Sequence, residues 1–114
     1  MGAIFIVEGW SDDKQLKGAL GTVSTIVTNG TKMNNKIKDA ISEAIEAGLQ
    51  PYTLSDPDPA GDQLAIMISK AFPEIPRIKI DPEKAKYYRG KGRYKYGVEY
   101  CSHKYIRELI GEII

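Results

Sequence analysis

The apolar positions of this chain follow two different periods in turn. Ala3-Ile4-Phe5-Ile6-Val7 is an unbroken apolar run, the pattern of a central strand covered on both faces. It stops at Glu8-Gly9. Asp12 and Gln15 then have capping-box spacing, with Leu16, Ala19 and Leu20 as a helical stripe behind them. Residues 23–28 are rich in β-branched side chains and end at Asn29-Gly30, which predicts a second strand closed by a turn. Ile37, Ala40, Ile41, Ala44 and Ile45 recur at helical spacing, with Lys38, Asp39, Ser42, Glu43 and Glu46 opposite and Gly48 suited to the C-terminal cap. A third strand over residues 51–55 runs into Asp56-Pro57-Asp58-Pro59-Ala60-Gly61, where two prolines stiffen the backbone.

A further helix buries Leu64, Met67, Ile68 and Ala71, and residues 75–80 read as a fourth strand. The last helix starts near Ser102 and buries Ile106, Leu109, Ile110 and Ile113. Strands alternating with helices predict an α/β fold: a central four-stranded, mainly parallel sheet with helices on both faces.

At 114 residues the chain is expected to form a single domain. With 42% hydrophobic and 27% charged residues it has enough apolar side chains to fold without staples. One cysteine, Cys101, allows neither an internal disulfide nor a cysteine zinc cage, and it reads as a packing residue. The apolar run at residues 3–7 is too short for a signal-peptide core or a membrane span, so a cytoplasmic location is expected.

The net charge of +1 conceals an asymmetry. Residues 77–95 hold eight basic side chains against two acids, a surplus of +6 that leaves −5 on the rest of the chain. Such a division signals a charged partner. Residues 81–97 read as a long basic loop in which Lys84, Lys86, Arg89, Lys91, Arg93 and Lys95 can meet phosphates, while Tyr87, Tyr88, Tyr94 and Tyr96 can stack on unpaired bases. Gly90-Lys91-Gly92 lacks P-loop spacing and is expected to act as a hinge. Lys32 can steady a phosphate from the end of the second strand. His103 is not a catalytic candidate, and Trp10 reads either as a base-stacking platform or as a lid over the core.

The acids that follow strands read either as helix caps or, taken together, as a metal site. Glu8 follows the first strand, and Asp56 and Asp58 follow the third. In open parallel sheets, sites form at the carboxyl ends of strands where strand order reverses. If these two strands are neighbours, three carboxylates meet, and they need a counter-charge to remain ionised together. With no His or Cys cluster, Mg²⁺ is the natural ion, with Mn²⁺ as a substitute. Asp12 reads as a helix cap before it reads as a ligand. Asp62 reads as a first-turn acid favoured by the helix dipole, with an outer-ligand role as the alternative.

Val7-Glu8-Gly9 with Asp12, then Asp56-Pro57-Asp58 with Gly61, resembles the Toprim domain shared by DnaG-type primases, topoisomerases, OLD-family nucleases and a small ribonuclease family. Thr28-Asn29-Gly30, Asp56-Pro57-Asp58-Pro59-Ala60-Gly61 and Gly97-Val98-Glu99 with Ser102 are similar to the Toprim part of the bacterial ribonuclease that matures 5S ribosomal RNA, although Tyr100 stands where that pattern has a histidine. The resemblance implies a Rossmann-like Toprim fold and a nucleic-acid substrate, RNA before DNA. It implies that Glu8 is a general acid or base that shares a metal, and that Asp56 and Asp58 hold Mg²⁺. Gly9, Asn29, Gly30 and Glu99 would be accessory, Glu99 either near the site or in an ion pair with a loop cation. An accessory protein that supplies specificity is the implied partner, and no membrane is. The competing expectation is a non-catalytic module, associated with DNA repair or replication, that grips nucleic acid or a partner protein.

Overall fold

The computed structural model describes residues 2–113. Strand β1 (Ala3–Val7) lies at the centre of a parallel sheet, with β2 (Ser24–Val27) on one side and β3 (Gln50–Thr53) on the other. Helix α1 (Trp10–Leu20) links β1 to β2, α2 (Asn35–Glu46) links β2 to β3, and α3 (Pro59–Ala71) follows β3. An antiparallel hairpin, β4 (Lys86–Gly90) and β5 (Arg93–Tyr96), precedes α4 (His103–Gly111).

Alternation along β1 divides the interior in two. Phe5 and Val7 enter a core cluster with Leu16 and Ala19 of α1 and Ile106 and Ile110 of α4. Ile6 enters the other, with Ile37 and Ile41 of α2 and Leu64 and Ile68 of α3. A strand buried on both faces has no solvent side, which is why β1 reads as one apolar run. Gly18 opens room for α4 against α1, since a Cβ there would stand 3.0 Å from the His103 ring. His103 is thus a packing neighbour of α1.

Two expectations change. The described residues form a three-stranded parallel sheet; residues 75–80 meet it only at an isolated bridge between Thr53 and Arg77. Thr53 donates its N–H to the Pro76 carbonyl at 2.9 Å, and Ile78 donates back to the Thr53 carbonyl at 2.8 Å. Gln50 and Leu54 direct their N–H groups to β1, so Pro51 falls on the outer edge, where it has no donor to offer a further strand. Pro76 removes a donor from the opposing segment as well.

The second change concerns residues 81–97, where a short 3-10 turn (Pro82–Lys84) leads into the β4–β5 hairpin instead of a loop. Lys86 pairs with Tyr96, Tyr87 with Lys95, and Tyr88 with Tyr94. Positive φ angles at Gly90 (95°), Lys91 (53°) and Gly92 (71°) make the turn. The glycines supply turn geometry that other residues adopt only under strain.

Candidate active site at the switch point of the sheet

Helix α1 returns the chain to β2 on one side of β1, and α2 then carries it across to β3 on the other. The order of strands therefore reverses between β1 and β3, and their carboxyl ends open a crevice there. Ile6 stands opposite Thr53. Glu8 leaves β1 into this crevice and Asp56 enters it from β3, so the two acids are neighbours although 48 residues apart in sequence.

The local sequence holds each acid in place. Asp58 is the N-cap of α3, accepting the Gly61 N–H at 2.7 Å, with Pro59 at the first helical position. Asp56 accepts the Val98 N–H at 2.8 Å. Gly61 is obligatory, because any Cβ there would be driven into the Asp56 carbonyl. Gly9 is the N-cap of α1, and Asp12 is its third residue, accepting the Gly9 N–H at 3.1 Å. Asp12 thus fills the far position of the capping box, where the sequence pattern places it as the cap itself.

Asp12 also faces the crevice. It is 5% exposed, and its carboxyl is pushed up to about 6, first by burial and then by the charges of Glu99 and Glu8, while the Gly9 N–H pulls the other way. Burial, then Asp12, Asp58 and Glu8, push Asp56 up to about 7 against the Val98 hydrogen bond. Burial and Asp58 likewise raise Glu8. Among the described residues, Glu8 Oε1 is buried with no hydrogen-bond partner, as is Ser55 Oγ beside Asp56. Burial raises Glu8, Asp12 and Asp56, and Asp58 and Glu99 add their charges to the same field.

The architecture matches a solved structure of a small TOPRIM domain protein from Bacillus stearothermophilus. The TM-score is 0.73 over 99% of this chain and 86% of that one, at 23% identity. The chain has the Toprim fold. It is also similar to Ribonuclease M5 of Staphylococcus aureus (strain NCTC 8325 / PS 47), with 32% identity over 105 residues. That match takes in 92% of this chain and 56% of the relative, so the chain spans little more than half of that protein's length. No protein-family model matches the chain.

Within the Toprim crevice the remaining candidates separate. Asn29 and Gly30 form the turn after β2 with φ angles of 55° and 140°, and the Asn29 N–H donates to the Glu8 carbonyl at 2.7 Å. They fix the backbone beside the acid. Asp62 leaves the group: it binds Arg77 at 2.7 Å, and Arg77 also donates to the Asp56 carbonyl at 3.1 Å. Arg77 anchors the acidic loop from behind, a role that the sequence pattern does not single out. Among the described residues Glu99 makes no ion pair with a hairpin cation. It faces Asp12.

The hairpin borders the crevice through Tyr87, which stacks on Tyr100 with ring centroids 4.8 Å apart. Strand alternation puts Tyr87, Arg93 and Lys95 on the same face. Arg89 is the unpaired residue of a β-bulge between the Tyr88 and Gly90 pairs. A groove of about 440 Å³ runs between Asp58, Glu99, Tyr100 and the Tyr94-Lys95-Tyr96 stretch. Lys86 lies on the other face, over the Tyr94 ring at 4.1 Å and paired with Glu83 at 3.3 Å. Lys91 is exposed at the hairpin turn, Lys84 in a short 3-10 turn before β4, and Lys32 at the carboxyl edge beyond β2. No helix among the described residues is long and apolar enough to cross a membrane.

Proposed function

We propose that this chain is a Mg²⁺-dependent phosphodiesterase acting on structured RNA. The reading rests on one juxtaposition: pairing of β1 with β3 sets Glu8 beside Asp56 and Asp58, with Glu8 Oε1 buried and unpartnered. A buried carboxylate oxygen with no donor is costly unless a proton or a cation satisfies it. The donors are hard oxygens, and the nearby Cys101 thiol is pushed up to about 11 by burial and by Asp56 and Asp12, so it stays protonated and is no soft ligand. This donor set fits Mg²⁺.

Two of Glu8, Asp56 and Asp58 would hold the ion, with water and substrate oxygens completing its shell. When bound, Mg²⁺ supplies positive charge against the phosphodiester oxygens and activates a water. Glu8, which directly follows β1 and feels the charge of Asp58, accepts or returns the proton. Arg93 and Lys95 meet flanking phosphates, and the Tyr87–Tyr100 stack offers a π-face to an unpaired base. Similarity to a protein named as a ribonuclease supports RNA as the polymer. Substrate selection by an accessory protein belongs to the same proposal.

One observation favours a second reading, a module that binds nucleic acid without cutting it. Among the described residues no group of three or more His, Cys, Asp or Glu side chains is disposed to hold a metal ion. Mg²⁺ commonly takes one or two carboxylates and fills its shell with water and substrate oxygens, so two acids of the crevice suffice for the first reading.

Incubation with RNA stem-loops and the matching DNA, with Mg²⁺ or with chelator, separates the two. The expected result is RNA cleavage that chelator and Asp56→Asn both abolish. Binding without cleavage establishes the second reading, and equal cleavage by wild type and variant identifies a contaminant.

A further inference from the structure

Trp10 is the most exposed large hydrophobic side chain among the described residues, at 67%. Placed at the first position of α1, directly after the Gly9 cap, it covers no core. An exposed indole at the wall of a groove offers a flat π-face on which a base can stack. Trp10 forms one wall of a groove of about 390 Å³ on the β2 side of Glu8, away from the tyrosine hairpin. This volume lies in the range of small-ligand sites.

The groove has the chemistry of a nucleotide subsite. Its floor is apolar, from Ile26 and Ile37, and Asn29, Asn34 and Lys36 rim it. Asn34 Oδ1 accepts the Ile37 N–H at 2.9 Å as the cap of α2, which leaves its NH₂ to donate into the groove mouth. Lys36 is exposed, Lys32 is exposed four residues earlier, and the first turn of α2 contains no acid. A base can stack on the indole, the amides can read its edge, and the lysines can meet its phosphate. The groove adjoins the Glu8 main chain, since Asn29, one of its walls, donates its backbone N–H to the Glu8 carbonyl at 2.7 Å.

We propose that the Trp10 groove binds an unpaired nucleobase of the strand whose neighbouring phosphate lies at Glu8, Asp56 and Asp58. The proposal rests on the nucleic-acid reading above and adds to it a requirement for a single-stranded nucleotide on the β2 side of the scissile bond. The strand then crosses the crevice from the Tyr87–Tyr100 stack to Trp10, held by an aromatic platform at each end.

Trp10 is the one tryptophan of the chain, so its emission reports the site directly. Asp56→Asn protein, with no Mg²⁺, is titrated with an end-labelled stem-loop carrying a single-stranded extension and with the blunt stem-loop. Anisotropy reads binding, and tryptophan emission reads stacking. Quenching by the extended ligand alone is expected. Trp10→Ala should weaken that ligand by about 5- to 150-fold, the range that base–aromatic stacking supplies. It should leave the blunt stem-loop unchanged, with Trp10→Phe recovering part of the loss.

Binding of the extended ligand at full saturation with unchanged emission overturns the inference while the nuclease reading stands. Quenching in a protein that never cleaves RNA supports the inference and removes the nuclease reading. Failure to bind either ligand overturns both.

Discussion

The Val98 backbone N–H donates to Asp56 Oδ1 at 2.8 Å, joining two residues 42 apart in sequence. Val98 directly follows the hairpin, so this bond ties the basic, tyrosine-rich segment to the acid at the centre of the crevice. It also leaves Asp56 only part of its carboxylate for other duties.

This bond makes the two obvious substitutions at Asp56 unequal. Asp56→Asn keeps a carbonyl oxygen for Val98 and removes a charge from among four other acids, so its melting temperature at pH 8 should equal or exceed that of wild type while cleavage is lost. Asp56→Ala leaves the Val98 N–H without its partner, at a cost of about 1–3 kcal/mol. Thermal melts of both variants, with the cleavage assay, check the split.

Gly61→Ala should disrupt the acidic loop, because the added methyl is driven into the Asp56 carbonyl and into backbone that Arg77 also grips. Overpacking of this kind costs about 1–3 kcal/mol or more, and cleavage should fall with stability. Gly111→Ala is the control: its Cβ meets nothing within 4 Å. Its unfolding free energy should stay within about 0.5 kcal/mol of wild type, as for other unconstrained surface sites.

The carboxyl cluster gives stability a definite pH dependence. Asp12 is raised from 3.8 to about 6 and Asp56 from 3.8 to about 7. The folded state therefore binds these protons more tightly than the unfolded state does, and stability falls where the two differ. The contribution is fully present below pH 3.8 and is lost as pH rises to about 7. Melting temperatures measured from pH 4 to pH 8 should show this decline, and millimolar Mg²⁺ should offset it more at pH 8 than at pH 5. A Mg²⁺ effect that is absent at every pH would remove the metal from the proposal.

Phosphate contact by the hairpin is testable through salt. Replacing Arg89, Arg93 and Lys95 with glutamine should flatten the plot of log K against log salt by about 2 to 3, since each contact contributes about 0.7 to 0.9. Lys86→Gln should act differently. That lysine is engaged by Glu83 and the Tyr94 ring, so the change should loosen the hairpin more than it alters the slope.

Elements whose pattern is local are legible in the sequence itself. The apolar run of β1 and the stripe of α2 appear where the residues predict them, and Ser102 and Gly48 sit at helix ends as expected. The acids Glu8, Asp56 and Asp58 stand out because they follow strands and because proline and glycine mark the loop between. Alternation of Lys86, Tyr88, Tyr94 and Tyr96 with their neighbours is present in the basic segment, but charge and glycine content obscure it as a hairpin. Asp12 reads as a cap; its spacing of four from Glu8 and its place in the Toprim-like motif are the signs in the sequence that it shares the crevice.

Strand order depends on contacts between distant segments, and only the folded chain decides it. The order β2-β1-β3 is what makes Glu8 and Asp56 neighbours, and no local propensity encodes that order. The missing fourth strand has the same origin, since Pro51 matters only once one knows which edge its absent N–H faces. Desolvation is likewise collective: the same carboxylate sequence in open solvent would hold no raised pKa, and it is burial in the crevice beside other acids that raises Glu8, Asp12 and Asp56.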